Sequence, residues 1–267
     1  MVRNAVRGVD CVCHLAAING TEFFYSMPQL VLEVAVKGMI NVLDACIESG
    51  VPELLLMSSS EVYQQPPQIP TPETVPLIVP DPHNPRYSYG AGKIISEVLA
   101  INYGRKDFDR VLIVRPHNVY GPDMGWEHVI PQFCIRMGAI ETKPGCRMPF
   151  PLQGDGTQTR SFLYVSDMAK GVAQILERGT HLEIYHLGSE DEIAIEDLAA
   201  RVAVLYGKEV EVRAGEKPQG GPSRRCPNTA KARQLGFLPV VTLDEGLKRT
   251  AEWYDSHGED HRIKRTG

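Results

Sequence analysis

No apolar run in the sequence approaches the roughly 20 residues that cross a bilayer, and Asp10 interrupts the stretch after Met1 where a signal peptide would be unbroken. Neither membrane insertion nor secretion is expected, and the protein is read as cytoplasmic. Clustered basic charge is lacking too: 28 Lys and Arg are spread among 33 Asp and Glu, for a formal charge of −5. Nucleic acid, which needs a basic face, is therefore a poor partner. The six cysteines, at 11, 13, 46, 134, 146 and 226, form no framework. Cys11, Cys13 and His14 fall in "VDCVCHLAA", which reads as a buried strand, and no second ligand pair follows at zinc spacing. The reading is reduced core thiols and no metal.

What the chain has is an ordinary globular composition, 43% apolar and 23% charged over 267 residues, enough for one large or two smaller cores. Three short runs, "VDCVCHLAA", "ELLLMS" and "RVLIVR", are continuous, apolar and β-rich, as strands buried on both faces of a parallel sheet are. Between them the apolar spacing is helical. Leu30, Val31, Val34, Met39, Ile40, Val42, Leu43 and Ile47 define a helix from Pro28 to Ser49 stopped by Gly50. Ile94, Ile95, Val98 and Leu99 define a second, from about Tyr89 to Tyr103. Strand, helix, strand, helix, strand predicts a doubly wound α/β layer with right-handed crossovers. Beyond "YGPD" the pattern loosens. "PQFCIRMGA" reads as a helix, "KPGCRMPFPLQGDGTQTR" as a Gly/Pro-rich excursion, "SFLYVSDMAKGVAQILE" as a strand and helix, and "EIYHLGS" as a further strand. Helices from Ile193 to Tyr206 and from Leu243 to Tyr254 close a smaller lobe, and the tail after them frays.

Two of the strands end in small or polar residues, Ser58-Ser59-Ser60 and His117-Asn118. In an open parallel sheet ligands bind outside the carboxyl ends of the strands, so chemistry is expected there. "RYSYGAGKIISE" places Tyr89 and Lys93 four apart, on one face of the second helix. A free phenol, with a pKa of about 10, is a poor base at neutral pH; a nearby ammonium favours the phenolate and lowers that value. A serine hydroxyl can then hold the substrate oxygen whose proton leaves as hydride departs from the adjacent carbon, and Ser59 is the choice. In a chain with ten tyrosines this spacing can arise by chance. Context gives it weight.

That context is a series of motifs: "LLLMSSSEVY", "YSYGAGK", "VRPHNVYGP", "GDGTQTRSFLYVSDMA", "ARQLGFLP" and "LDEGLKRTAEWY". In order and spacing they resemble the extended short-chain dehydrogenase/reductases, in particular the nucleotide-sugar epimerase/dehydratase branch with UDP-galactose 4-epimerase, dTDP-glucose dehydratase and UDP-glucuronate decarboxylase. The resemblance covers nearly the whole chain. It implies that Tyr89 is the catalytic acid/base, that Lys93 binds the nicotinamide ribose and tunes Tyr89, and that Ser59 is the catalytic Ser/Thr. Ala16, Ala17, Ser58 and Pro116 complete the nicotinamide side. Ser60 and Asn118 contact the sugar nucleotide, and Arg160 and Arg225 meet its diphosphate or sugar. Glu61 has two readings: a base for the C5 proton of a 4-keto sugar, since dehydratases and decarboxylases of this group put a glutamate there, or a loop residue hydrogen-bonding backbone amides. Ala35, Gln64 and His186 stand where the family has asparagine, glycine and asparagine, which marks a divergent member.

Family members open with a strand and a GxxGxxG turn whose backbone N–H groups meet the cofactor pyrophosphate. This sequence has no such turn: Gly90 and Gly92 fall in the Tyr89 helix, Gly154 and Gly156 in the second lobe, and Gly220 and Gly221 in a loop. The resemblance thus implies an α/β fold with an incomplete Rossmann-like doubly wound parallel sheet. Its first βαβαβ, on the order of 60 residues, is absent, and a smaller C-terminal α+β substrate lobe follows. A partial dinucleotide-binding domain is expected at 1–120 plus about 159–188, and the substrate lobe at 121–158 plus 189–267. The implied function is NAD- or NADP-dependent oxidoreduction at C4 of a nucleotide sugar, with the cofactor held weakly or not at all by half a site. The alternatives are a nucleotide-sugar-binding or scaffold protein without turnover, and a hydro-lyase-like enzyme using the acid/base groups without nicotinamide. The first strand becomes an apolar edge for a second copy to cover, and the helices at 28–49 and 89–103 are the family's dimer surface. A homodimer or higher homo-oligomer is expected.

Overall fold

The computed structural model of the protein describes residues 1–141, 147–216 and 221–265, with side chains as far as His257; Cys146 and Gly220 lie outside the described residues. In chain order the elements are α1 (Val2–Ala5), β1 (Cys11–His14), α2 (Thr21–Ser26), α3 (Pro28–Ser49), β2 (Glu53–Met57), α4 (Ser88–Asp107), β3 (Arg110–Pro116) and β4 (Val119–Tyr120). There follow α5 (Val129–Ala139), β5 (Met148–Pro151), β6 (Thr159–Ser161), β7 (Leu163–Tyr164), α6 (Val165–Arg178), β8 (Glu183–Leu187) and β9 (Glu192–Ala194). The last are α7 (Ile195–Leu205), β10 (Val210–Arg213), β11 (Arg224–Arg225), α8 (Ala230–Gln234) and α9 (Leu243–Arg265). No helix among the described residues is long and apolar enough to cross a membrane.

The three β-rich runs and "EIYHLGS" form one parallel sheet in the order β1-β2-β3-β8. Side chains alternate across each strand. Leu54, Leu56, Val111 and Ile113 point to one face, where α3 and α4 cover them with Met39, Val42, Leu43, Cys46 and Ala100. Leu55, Leu112 and Val114 point to the other, beneath Met168 and Ile175 of α6. Each fully buried leucine of this kind contributes about 1.5–3 kcal/mol. The chain steps through the sheet in one direction, yet α6 lies on the face opposite α3 and α4. The crossover from β3 to β8 therefore differs in hand from the two that the sequence predicts. The reason is the long excursion over residues 117–164, which separates this step from a simple strand-helix-strand unit.

Helix α3 ends where expected: Gly50, at φ 68°, turns its N–H back to the Cys46 and Ile47 carbonyls. It packs closely on α4, because a Cβ at Gly92 would stand 2.7 Å from that of Ala35. The alanine that departs from the family's asparagine is thus the small residue facing Gly92.

A further core gathers Tyr120, Phe133, Phe150, Leu198, Val202, Leu247 and Tyr254 from α5, α7, α9 and the short strands around them. Four expectations need correction. The excursion contains β5, paired in parallel with β10, and the 224–225 segment joins β6 and β9 as β11. Those strands are two to four residues long, β5 is half proline, and the alternation of VEVR in β10 spans only four residues, so little announces them. Helix α9 runs past Tyr254 to Arg265 where fraying was expected. Finally, β1 is not fully buried: it pairs only with β2 among the described residues, leaving Cys11 partly buried and Cys13 exposed rather than in a core.

Candidate active site

The sequence-derived residues gather at the carboxyl end of the sheet, where β2 runs into a serine turn and α4 begins. The Ser58 N–H still belongs to the sheet and donates to the Val114 carbonyl at 2.7 Å. Ser59 leaves it in extended conformation, and its Oγ accepts the Glu61 N–H at 3.1 Å, capping a 3₁₀ turn over Ser60–Val62. Helix α4 is launched by a second 3₁₀ turn, Pro85–Tyr87, capped by Asn84, with proline at its first position. Two residues later stands Tyr89, with Ser59 near enough to its phenol to lower the phenol pKa.

The phenol does not have the lowered pKa that the spacing suggests. Burial pushes Tyr89 up to about 12; the Ser59 hydrogen bond lowers it and the Glu61 charge raises it. The Lys93 ammonium, 5.7 Å from the ring centroid, is directed to the Met57 carbonyl at 2.7 Å. Lys93 is itself pushed down to about 8 by burial, against the pull of Glu97. Desolvation outweighs the charge effect because Tyr89, 7% exposed, lies under Phe24 and Val31.

Glu61 forms the second half of the site. Its carboxylate accepts from Arg225 Nη1 at 2.6 Å. Burial raises its pKa, but the charge and hydrogen bond of Arg225, with the charges of Arg86 and Arg160, bring it below the ordinary carboxyl value. The carboxylate read from sequence as a base for the C5 proton or as a loop residue on backbone amides stands as an ion-paired anion among three guanidiniums. Arg160 donates to the Thr159 and Pro222 carbonyls at 2.7 Å each, and burial and the neighbouring Arg225 push it down to about 10. One nitrogen of Arg225, Nη2, is buried without a partner among the described residues. Gln64 sits in the left-handed region at φ 53°, held by donation of its Nε2 to the Glu61 carbonyl at 2.6 Å. Gly90 makes room for that turn, since a Cβ there would stand 2.7 Å from the same carbonyl.

The remaining candidates are more dispersed. Ser58 Oγ donates to Glu97 and faces the interior. Ser60 is buried within its turn. Asn118, at φ 41°, donates its Nδ2 to the Ser161 carbonyl at 2.8 Å. Pro116 closes β3 opposite Leu187. Ala17 packs beside Tyr89 and Phe24, while Ala16 is exposed.

Sequence reasoning missed four residues that shape the site: Phe24, Arg86, Glu97 and Arg115. Signals existed for two. Arg86 opens the same quoted stretch as Tyr89, and Glu97 continues the four-residue spacing of Tyr89 and Lys93 along one helix face.

Replacing Arg225 by Gln should reverse the titration of Glu61. In the intact chain the carboxyl is depressed, so the stability it contributes is present above the unfolded value of about 4.3 and lost as pH falls through the folded value. Without Arg225 burial dominates and the folded value rises, so in Arg225→Gln stability is lost as pH increases. Urea midpoints between about pH 4 and 7 check this; parallel curves for the two proteins would refute the assignment.

Comparison with known proteins places this chain in a family. The sequence model described as NAD dependent epimerase/dehydratase family matches residues 2–188. The chain is 31% identical over 258 residues to a dTDP-4-dehydro-6-deoxy-D-allose reductase of Streptomyces sp, covering 93% of this chain and 75% of that one. It is 33% identical over 242 residues to UDP-glucuronic acid decarboxylase 3 of Arabidopsis thaliana, covering 90% and 68%. The solved structure of a DesIV double mutant, a dTDP-glucose 4,6-dehydratase from Streptomyces venezuelae with NAD and DAU bound, superposes with a TM-score of 0.82 at 28% identity, over 97% of this chain and 77% of that one. Match over most of the length, at this identity and on this sheet, makes the chain a member of the NAD dependent epimerase/dehydratase family of enzymes.

Proposed function

We propose that the protein oxidises and reduces C4 of a nucleotide sugar, with Tyr89 as acid/base, Ser59 holding the reacting hydroxyl, and Lys93 serving the cofactor and the phenol. The observation that carries this reading is the convergence of Ser59, Tyr89 and Lys93 at the carboxyl end of a parallel sheet, beside three guanidiniums.

The residues present suit the nicotinamide-ribose part of NAD. An ammonium donates three hydrogen bonds; the Lys93 amine gives one to Met57 among the described residues, and two remain for a ribose hydroxyl pair. Ala17 and Pro116 are compact neighbours for a flat ring. Among the described residues no GxxGxxG turn follows a strand and opens a helix, so the residues present suit the nicotinamide side and not the pyrophosphate. When bound, NAD supplies the hydride acceptor.

In the oxidative half, Ser59 donates to the C4 oxygen while the Tyr89 oxygen, as phenolate, takes its proton; the Ser59 bond and the Lys93 charge favour that form, and burial opposes it. In the reductive half the neutral phenol, already the stable form at a pKa of about 12, returns the proton to the keto oxygen. Arg225, Arg160 and Arg86 carry more positive charge than Glu61 balances, which suits an anionic sugar nucleotide. Held as an ion pair, Glu61 orients Arg225.

The experiment is to incubate the protein with NAD and a panel of UDP- and dTDP-linked hexoses and uronates, and to follow the sugar ring by NMR. Conversion of at least one is expected. Binding without turnover would instead mark a nucleotide-sugar-binding protein, and absence of both would end the reading.

A further inference from the structure

Helix α2 makes the most direct unexplained contact with the reacting phenol. It has six residues between two breaks in helical geometry, Gly20 at φ 135° and Met27 at φ −138°. Gly20 is required on two counts, its backbone region and the 3.0 Å that a Cβ would leave to the Phe23 ring. The helix rests on the Pro85–Tyr87 turn that launches α4 and on α3. Its one buried residue is Phe24, while Phe23, Tyr25 and Met27 are exposed. Phe24 lies flat on Tyr89, ring centroids 5.0 Å apart and planes 13° apart. Val31, Ala17 and Ile18 close around the pair.

We propose that Phe24 is a positioning residue for the acid/base step: by covering one face of the Tyr89 ring it fixes the ring plane toward Ser59 and keeps water from the phenol. The inference rests on the role proposed for Tyr89. A phenyl ring's terminal torsion is broad, so the hydrogen bond to Ser59 alone leaves the ring plane free to rock; a flat aromatic neighbour removes that freedom. The same contact denies the phenolate its hydration, which is the first cause of the raised Tyr89 value. Phe24 thereby biases Tyr89 toward the proton donor. The short helix that carries it sets the balance between the two halves of the reaction.

The test reads Tyr89 without substrate or NAD, from ring-carbon NMR signals of ¹³C-tyrosine-labelled protein, with the Tyr89 signal identified by its loss in Tyr89→Phe. At about pH 10.5 a free tyrosine amide, with a pKa of about 10, is mostly ionised, whereas Tyr89 of the intact chain remains protonated. In Phe24→Leu, which keeps apolar bulk without a flat ring, and in Phe24→Ala, the Tyr89 midpoint falls by about one unit or more, a tenfold change in phenolate fraction. Tyr63, buried against Arg115 and His186, keeps its own midpoint in these variants. An unchanged Tyr89 midpoint in the folded variants overturns the proposal. So does an intact chain in which Tyr89 titrates with the free amide, an outcome that needs no variant to fold. Failure of the functional reading is distinct: it appears as turnover surviving in Tyr89→Phe.

Discussion

Tyr89→Phe should lower kcat by about 10²–10⁴-fold, the contribution of a well-placed general acid/base, while KM for the sugar nucleotide changes little. The substitution is clean. The ring, its stack on Phe24 and its burial all remain, and only the hydroxyl, with its interaction with Ser59, is removed. A loss of that size is about 2.7–5.5 kcal/mol of barrier, more than a hydrogen bond to Ser59 contributes by packing alone. The pH profile gives a second reading. With Tyr89 at about 12, the phenolate fraction rises tenfold per unit throughout the working range, so oxidation by the intact enzyme should accelerate from neutral pH upward. Lys93, at about 8, loses its charge on the way and should bend the curve there. Residual activity of Tyr89→Phe should lack the rise. A fall of less than tenfold, with the pH dependence intact, would assign the proton to another group.

Glu97→Ala should destabilise the fold by about 3–5 kcal/mol, because it strips the counter-charge from a buried guanidinium. Arg115 and Glu97 are each 2% exposed. Arg115 donates Nε at 2.8 Å and Nη2 at 2.5 Å to the Glu97 carboxylate, and its other nitrogen reaches the Tyr63 hydroxyl and, at 3.1 Å, the Glu73 carbonyl. Tyr63 in turn meets His186 Nε2 at 2.7 Å. Five parts of the chain, β3, α4, the turn after β2, the loop at Glu73 and β8, thus share one buried polar network. Breaking one charge leaves the rest unsatisfied, whereas Arg115→Met combined with Glu97→Leu removes both and should recover much of the loss. Melting points should report roughly 2–4 °C per kcal/mol in a chain of this size. A Glu97→Ala protein within about 1 kcal/mol of the intact one would show that water reaches Arg115 and meets its charge.

The legible part of the molecule was the part that repeats. β2, β3, α3 and α4 are long enough for their apolar spacing to rise above chance, and they carry Ser59, Tyr89 and Lys93 to one end of the sheet. Glu61, Arg160 and Arg225 were legible only through motif resemblance, because single charges in loops have no period. β5 and β11 were lost because two prolines or two residues show no period, and β10 because its VEVR alternation spans only four residues. Phe24 was invisible because its importance lies in which ring it faces, a relation between residues far apart in the chain. The direction of the Tyr89 shift was misjudged because spacing reports proximity to Lys93 but not the desolvation that burial imposes on both.

The thin covering of β1 turns a native side chain into a reporter. Cys13 is the one exposed thiol among the described residues, and its neighbour Cys11 is pushed up to about 11, first by burial and then by Cys13 itself, which keeps it unreactive. His14, next along the strand, is pushed down first by burial and then by the charge of Lys93. A maleimide dye would therefore label Cys13 ahead of Cys11, and its emission would report on the exposed strand itself without any engineered handle.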